Sequence, residues 1–181
     1  MIPLGTAMNP TVKVWDALVR VGHWSLVLSV IFAWLTRHGW GRWHEWIGYV
    51  SLAIVAVRIV WGWTGSQHAR FDDFVRSLAV IWRYARQMLQ GREPRYLGHN
   101  PLGGWMILAL LFNVTLVGVS GWLYTTDRFW GVEWVETLHS MLTDLLLILA
   151  AVHVLGALYA SFRHRENLVA AMVHGRKRPA E

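Results

Sequence analysis

One segment constrains the fold of this chain more than any other part of its sequence. From Leu102 to Tyr124 no residue is charged, and a helix of this length crosses a hydrocarbon core of about 30 Å. Three further segments are apolar enough to do the same, although each carries a few ionisable residues. The sequence therefore predicts an all-α membrane protein, a four-transmembrane-helix bundle in a single domain over residues 1–181. The predicted spans are residues 15–36, 44–63, 102–124 and 138–162.

The composition agrees with a membrane location and excludes every kind of site that needs cysteine. Hydrophobic residues make up 55% of the sequence and charged residues 15%, against about 25% charged in a typical soluble domain. The net charge of +6 could indicate nucleic-acid binding, but a basic nucleic-acid-binding domain is rarely so apolar, so we expect lipid contacts and no nucleic acid. Because the sequence has no cysteine, this chain cannot form disulfides, iron–sulfur clusters or covalent c-type haem attachments.

The basic residues lie mainly on one side of the predicted spans. Only Arg37, Arg42 and Arg128 belong to the connections on the other side. Because Lys and Arg accumulate in cytoplasmic loops, we expect both termini and the long connection after the second span to be cytoplasmic. The basic residues of that side are Lys13, Arg20, Arg70, Arg76, Arg83, Arg86, Arg92, Arg95, Arg163, Arg165, Arg176, Lys177 and Arg178. The predicted outer aromatic belt consists of Trp40, Trp43, Trp46, Trp122, Trp130 and Trp134.

The long connection between the second and third spans has an amphipathic pattern. Apolar residues recur at helical spacing, and arginines occupy other positions around the same helix. We expect a basic amphipathic helix in the headgroup plane, the alternative being a helix docked onto the bundle. Asn100 and Pro101 then fit the N-cap and the first helical position of the third span. The apolar set is Phe74, Leu78, Ile81, Trp82, Ala85 and Leu89, and the basic set is Arg76, Arg83 and Arg86.

Four of the nine histidines lie at membrane depth: His23, His44, His139 and His153. Ionisable side chains are costly in hydrocarbon, so each is a candidate functional residue, although a single one is as readily a hydrogen-bonded link between helices. His139 and His153 are fourteen residues apart, which places them on nearly the same helix face and about 21 Å apart along the axis. One mononuclear metal site cannot include both, so the spacing predicts two sites.

The other two histidines supply a partner at each depth. His44 begins the second span near the outer surface, level with His139, while His23 and His153 lie toward the cytoplasmic side. Two imidazoles that face each other across a helical bundle suit the axial positions of a b-type haem iron. Such an iron has no open coordination position, so it is suited to electron transfer rather than to oxygen binding.

Three further residues are candidates for contacts with a haem propionate or a quinone. Arg58 lies fourteen residues after His44, on the same helix face and about 21 Å deeper, close to the predicted inner site. We expect it to pair with a haem propionate there, the alternative being a side chain that extends to the cytoplasmic headgroups. Arg20 is a similar candidate closer to the surface, and His99 could bond a propionate or a quinone oxygen.

The remaining ionisable residues at or near the spans are given structural or no roles. Asp144 lies about 140° around its helix from His139, so we expect it to face away from a haem. This carboxyl could be protonated and neutral in lipid, bond to a neighbouring helix or relay a proton, and a structural role ranks first. Four histidines are expected at the surface and without a role: His38, His68, His164 and His174.

Several motifs follow one another in order along the chain. They are Arg20-Val21-Gly22-His23-Trp24, His44 to Gly48 followed by Arg58, Gly98-His99-Asn100-Pro101, the His139 and His153 pair, and the tail from Arg165-Glu166-Asn167-Leu168 to Gly175-Arg176-Lys177. From about Val14 to Lys177 the sequence resembles the bacterial dihaem cytochrome b561 family, which includes the cytochrome b subunits of membrane-bound nickel–iron hydrogenases.

This resemblance implies two b haems whose iron is bound axially by His23, His44, His139 and His153. It also implies a place in the bacterial inner membrane and electron exchange between the quinone pool and a periplasmic redox partner. That partner would be a hydrogenase, a dehydrogenase or a c-type cytochrome. The chain would then be a quinone oxidoreductase or the membrane subunit of one.

Two other functions remain open from the sequence. A stand-alone superoxide:quinone oxidoreductase would need basic residues to attract an anion to the outer face, and the few arginines there are offset by acidic residues, which favours a protein partner. A haem-free four-helix transporter would use the histidines as a proton or metal relay. A purely structural scaffold does not explain why two separate depths each carry two histidines.

Overall fold

The computed structural model describes residues 11–38 and 41–179, so Trp40 of the predicted aromatic belt lies outside the described residues. The secondary structure is helical except for two short strands. In chain order the elements are β1 (Val12–Lys13), α1 (Ala17–Thr36), α2 (Gly41–Thr64), a 3-10 turn (Gln67–Ala69), α3 (Phe71–Phe74), α4 (Leu78–Leu89), α5 (Pro101–Tyr124), α6 (Glu133–Arg163), α7 (Leu168–His174) and β2 (Arg176–Lys177).

Four of these helices, α1, α2, α5 and α6, are long and apolar enough to cross a membrane, which confirms the predicted four-helix architecture. Helix α6 begins five residues before the predicted span. Its first turn carries Glu133 and Glu136, and acidic side chains are favourable at the positive end of a helix dipole. The helix therefore continues beyond the apolar segment that the hydropathy pattern detects.

The four long helices pack side by side in the order α1, α2, α5 and α6. Helix α1 packs on α2, α2 on α5, and α5 on α6. The interior of this bundle is apolar, with Val55 of α2, Leu111 and Val114 of α5 and Leu146 of α6 in one buried cluster. The His23 and His153 side chains meet between α1 and α6, the first and last of these helices, and the His44 and His139 side chains meet between α2 and α6.

Asn100 and Pro101 begin α5 as the sequence predicts. The Asn100 side chain accepts a hydrogen bond of 2.7 Å from the Gly103 backbone N–H, and Pro101 occupies the first turn. Gly104 then lets α5 lie directly against α3, because a Cβ at this position would come within 2.5 Å of the Phe74 carbonyl oxygen. This contact holds the start of α5 against the connection that follows α2.

The amphipathic helix predicted in the connection is present as α4, but it is shorter than the pattern indicates. Phe74 belongs to the separate helix α3, and residues 75–77 between the two helices are not helical. The reason is packing, because Phe74 is buried with 1% exposure under α5. Along α4, Leu78, Trp82 and Leu89 are exposed, while Tyr84 is buried.

Both described ends of the chain meet at one end of the bundle, which we call the terminal end. Strands β1 and β2 pair antiparallel, with Val12 opposite Lys177. The Lys177 ammonium donates to the Leu97 carbonyl at 2.9 Å, and Glu166 accepts a hydrogen bond of 2.9 Å from Arg95. Helices α4 and α7 lie at this end as well. The opposite end, which carries the α1–α2 and α5–α6 connections, is called the hairpin end.

Candidate functional site

The first histidine pair lies near the hairpin end. The ring centres of His44 on α2 and His139 on α6 are 6.1 Å apart, and the rings are nearly perpendicular at 80°. His44 Nδ1 is 3.0 Å from the Ala33 carbonyl oxygen, and His139 Nδ1 is 3.1 Å from the Val117 carbonyl oxygen. If each Nδ1–H donates to its carbonyl, each Nε2 keeps a lone pair for a metal, which is the usual tautomer of a metal-binding histidine.

Helix α5 holds His139 through two residues that the sequence analysis did not single out. Ser120 Oγ is 3.1 Å from His139 Nδ1, and Ser120 is buried. At Gly121, an added Cβ would come within 3.0 Å of His139 Cε1, so a larger residue there would require the imidazole to shift by a few tenths of an ångström. Small residues are frequent wherever membrane helices pack, so neither residue carried a recognisable signal in the sequence.

The second histidine pair lies toward the terminal end. The ring centres of His23 on α1 and His153 on α6 are 6.3 Å apart, with the rings inclined at 52°. The edge of Trp24 meets the His23 ring at 5.1 Å between centres. His23 Nδ1 is buried and has no hydrogen-bond partner among the described residues. The Nδ1 atoms of the first pair both have carbonyl partners, whereas this Nδ1 atom has no partner in the described part of the protein.

Helix α6 supplies one histidine to each pair, and fourteen residues of helix separate the two by about 21 Å. Nowhere in residues 11–38 and 41–179 do three or more His, Cys, Asp or Glu side chains form a metal-binding group. Each pair thus offers two nitrogen donors, fewer than the four that a bare structural metal ion usually takes from protein. Two donors do suffice for a metal whose remaining ligands come from a macrocycle.

Arg58 and His99 lie together near the second pair. The Arg58 guanidinium is 5.6 Å from the Phe71 ring centre and 6.0 Å from that of Phe74. Its Nη1 atom is buried without a hydrogen-bond partner among the described residues. The side chain therefore lies within the protein rather than extending to the surface. Asp16 attracts its positive charge, but no carboxylate of the described residues forms an ion pair with it.

The His99 ring lies between aromatic side chains at the mouth of the same site. Its centre is 4.5 Å from that of Trp15 and 5.1 Å from that of Phe74, and its Nδ1 has no partner among the described residues. Burial lowers the pKa of His99 to about 3, and the nearby positive charges of Arg58 and Lys177 act in the same direction. In the protein as described, His99 is therefore neutral at physiological pH.

Neither Arg20 nor Asp144 forms a hydrogen bond or an ion pair with either histidine pair in the part of the chain that the structure describes. Arg20 Nη1 donates to the Val173 carbonyl of α7 at 2.5 Å, and its Nε donates to the Asp16 carbonyl at 3.4 Å, so this guanidinium joins α1 to α7. Asp144 is exposed on the side of α6 that faces away from the bundle. The contact of Arg20 with Val173 is not visible in the sequence, because the two residues are far apart along the chain.

Three of the four histidines that were expected at the surface have local contacts and join neither pair. His68 was expected at the surface, but its side chain is half-buried, and its Nδ1 lies within hydrogen-bond distance of Asp73 Oδ2, at 3.0 Å. His38 is exposed and accepts a hydrogen bond of 3.0 Å from Arg37. His174 Nδ1 accepts from the Arg176 backbone N–H at 3.1 Å. These local contacts account for the three side chains.

Comparisons with known proteins agree with this arrangement. The sequence profile of the prokaryotic cytochrome b561 family matches residues 14–175. Curated relatives named "probable Ni/Fe-hydrogenase B-type cytochrome subunit" include one from Bradyrhizobium diazoefficiens, 23% identical over 93% of this chain and 87% of the relative. Another, from Azotobacter vinelandii, is 26% identical over 91% of this chain and 87% of the relative.

A third relative of the same name, from Rhodobacter capsulatus, is 24% identical over 92% of this chain and 81% of its own length. No solved structure gives a significant match. The profile covers all four long helices and both histidine pairs. The chain therefore belongs to the prokaryotic cytochrome b561 family, whose members are multi-pass bacterial membrane proteins that carry haem b and transfer electrons.

Proposed function

We propose that the chain is a single integral membrane cytochrome b domain over residues 1–181 that carries electrons across the membrane through two b haems. His44 and His139 hold the iron of the outer haem, and His23 and His153 hold that of the inner haem. Two imidazole ligands leave haem iron without an open coordination position, so the bound groups supply one-electron transfer.

The separation of the ring centres is the observation that carries this proposal. A metal–imidazole bond of about 2.0 Å on each side, with about 1.1 Å from each nitrogen to its ring centre, separates two ring centres on one iron by about 6 Å. The separations are 6.1 Å in the outer pair and 6.3 Å in the inner pair. Histidines that merely hydrogen-bond to each other have no reason to show this spacing twice.

The hydrogen bonds of the outer pair support the same assignment. Ala33 and Val117 accept from the Nδ1 side of His44 and His139, which orients both rings and leaves Nε2 for the iron. Ser120 adds a second polar contact to His139. These contacts fix the rings before any cofactor binds, so the outer site is organised by the helix packing itself.

Arg58 and His99 supply hydrogen-bond donors to the inner haem. Both carry a buried nitrogen without a partner among the described residues, and a buried unpaired donor is costly. A propionate carboxylate would satisfy Arg58 Nη1, and His99 Nδ1 would bond a second propionate oxygen or a quinone oxygen. Arg20 is the weaker candidate, because it already donates to the Val173 and Asp16 carbonyls.

The charge distribution supports an orientation and a kind of partner. Lys and Arg are concentrated at the terminal end, so this end lies in the cytoplasm and the hairpin end faces the periplasm. The quinone pool is one electron partner. The other is a periplasmic redox protein, for which a hydrogenase is the first candidate because the curated relatives are named as hydrogenase subunits. A dehydrogenase or a c-type cytochrome would bind at the same hairpin end.

The haem content of the purified chain tests this proposal. We expect two non-covalent low-spin b haems per chain by pyridine haemochrome, and a His44→Ala variant that loses one and keeps the spectrum of the other. His38→Ala is the matched control, since this exposed histidine lies at the same end and should leave both haems in place. The remaining haem spectrum also reports that the variant has folded.

Two results would contradict the proposal. If His44→Ala lost both haems while the protein stayed folded by circular dichroism, the outer and inner sites would not be separate. If the wild-type chain, made with adequate haem supply, had no Soret absorbance, the haem-free transporter would become the better explanation of the four histidines.

A further inference from the structure

The exposed face of α4 carries apolar and basic side chains next to each other. Leu78, Trp82 and Leu89 form a stripe along the helix and are all exposed; we call it the apolar stripe. Arg83 and Arg86 are exposed as well, and both lie on the same side of this stripe. Such a face is too apolar to be left in water and too basic to enter the hydrocarbon core.

A groove lies between the two arginines, which we call the α4 groove. Its volume is about 730 Å³, and it is lined by Ala79, Trp82, Arg83, Arg86 and Gln87. Ala79 lies one turn before Arg83 on the same side of the helix, and its short side chain leaves space between the two guanidinium groups. A guanidinium presents its N–H donors in a plane that matches the oxygens of a phosphate. The α4 groove is therefore suited to a phosphate group.

The chain itself does not neutralise the charge of this groove. Glu93 is the only acidic residue from the end of α3 to the end of α5, and its buried carboxylate pairs with Arg163 at 3.0 Å. Among the described residues, no carboxylate forms an ion pair with Arg83 or Arg86. Arginine does not lose its proton in proteins, so both positive charges remain and attract an anion from outside the chain.

Helix α4 is attached to the bundle, so the groove has a fixed position. The helix packs against α5. Tyr84, on the far side of α4 from the groove, is buried, and its ring centre is 5.7 Å from that of Tyr96. Beyond the helix, the pair of Glu93 with Arg163 joins the connection to the end of α6. These contacts keep the two arginines directed away from the bundle.

The surroundings of α4 place the groove at the level of the lipid headgroups. Trp105, in the second turn of α5, donates from Nε1 to the Arg76 carbonyl oxygen at 2.9 Å. The chain therefore enters α4 level with the beginning of a membrane-spanning helix. Trp105 and Trp63, which lies in the last turn of α2, are both exposed, and tryptophan at the ends of spans marks the membrane interface. Phospholipid phosphate is the anion that is abundant at this level.

We propose that the α4 groove binds the phosphate of an anionic phospholipid of the phosphatidylglycerol type, with the acyl chains along the apolar stripe. The guanidinium groups then bond the phosphate oxygens, and the stripe is removed from water. A zwitterionic phospholipid fits less well, because its ammonium group brings a further positive charge next to two arginines. A soluble phosphate compound fits less well because it leaves the apolar stripe uncovered.

Native mass spectrometry of the detergent-purified chain tests this site. Phosphatidylglycerol and phosphatidylcholine with the same acyl chains are titrated separately, and the dissociation constant of the first bound lipid is measured. We expect phosphatidylglycerol to bind about tenfold more tightly, because each basic residue near an anionic headgroup adds to the attraction. In Arg83→Gln/Arg86→Gln the two lipids should bind with equal affinity.

Two further variants separate the groove from the general charge of the terminal end. Lys13→Gln/Arg165→Gln is the matched control, since both residues are exposed at the same end and their replacement removes the same charge. This control should keep the tenfold preference. Leu78→Ser/Leu89→Ser retains both arginines and should weaken the binding of both lipids. Circular dichroism shows whether each variant is folded, and no measurement depends on haem, so the outcome is separate from that of the proposed function.

Glycerol phosphate distinguishes a lipid from a soluble ligand, because it carries the phosphate without acyl chains. At the concentration that saturates the chain with phosphatidylglycerol, it should not displace the lipid. Displacement would identify a soluble phosphate compound as the occupant. Equal affinity of the wild type for the two lipids would show that the groove does not select an anion. A preference retained in Arg83→Gln/Arg86→Gln, or lost in Lys13→Gln/Arg165→Gln, would show that the two arginines of α4 do not form the site.

Discussion

Arg58 is held inside the protein although an arginine near the end of a span can extend to the headgroups. Its guanidinium lies over Phe71 and Phe74, and Nη1 is buried without a partner among the described residues. Burying this positive charge is unfavourable for the folded protein unless an anion pairs with it. A propionate of the inner haem is the anion that the proposed function supplies.

Arg58→Leu should lower the midpoint potential of the inner haem while that of the outer haem stays unchanged. A nearby positive charge destabilises ferric relative to ferrous haem, so its removal favours the oxidised state, by on the order of 50 mV for a charge about 10 Å away in a partly buried site. Redox titration of the two haem spectra measures the shift. Arg58→Lys keeps the charge and should recover most of the potential, and the exposed Arg86→Leu should have no effect.

An inner haem with the same potential and occupancy in Arg58→Leu as in the wild type would show that this arginine does not contact a propionate. The test does not depend on electron transfer to a partner. It can therefore be made on the purified chain.

The sequence alone could predict which histidines meet, but not what holds them. The helix period fixes the relation between His139 and His153 along α6, and depth fixes which partner is level with each. By contrast, Ser120 and the Ala33 carbonyl meet the histidines through the mutual rotation of neighbouring helices. That rotation depends on packing across the whole bundle, which no local pattern encodes.

At the scale of elements, α4 combines an exposed apolar stripe with an adjacent row of arginines. Leu78, Trp82 and Leu89 lie within about 40° around the helix, with Arg86 about 60° and Arg83 about 120° from the centre of this stripe. Trp82 is 69% exposed and Leu89 85%, more than large apolar side chains tolerate in water as a group. The pattern predicted an amphipathic helix; it could not predict the separation of α3, which follows from the burial of Phe74.

We expect α4 to lie in the headgroup layer, with its apolar stripe toward the acyl chains. Because the chain has no native cysteine, single spin labels can be placed at Trp82→Cys, Leu89→Cys, Arg83→Cys and Gln90→Cys. In liposomes the labels at positions 82 and 89 should collide more with oxygen, and those at 83 and 90 more with a water-soluble nickel chelate. Equal access of the nickel chelate to all four positions would place α4 in water.

At the scale of the whole molecule, pairing of β1 with β2 ties both described ends of the chain to one end of the bundle. An even number of spans requires the termini to share a side, and this sheet adds a direct link between them. Trp15, Val19 and Ala69 form a buried cluster beneath it. The number of long helices, and that both ends of the chain share one side, could be predicted from hydropathy. The sheet could not, because it depends on contacts between residues at opposite ends of the sequence.

Under the proposed function, the orientation of the bundle decides which haem lies on the cytoplasmic side of the membrane and which faces the periplasmic partner. We expect the terminal end to be cytoplasmic, because it carries most of the Lys and Arg residues outside the spans. Asp127→Cys at the hairpin end and Gln90→Cys at the terminal end are both exposed positions, and neither substitution changes a basic residue. In bacterial spheroplasts, a membrane-impermeant maleimide should label position 127, and should label position 90 only after detergent is added. Labelling of position 90 in intact spheroplasts would invert the orientation, placing the His44 and His139 haem on the cytoplasmic side and moving the surface for a periplasmic partner to the terminal end.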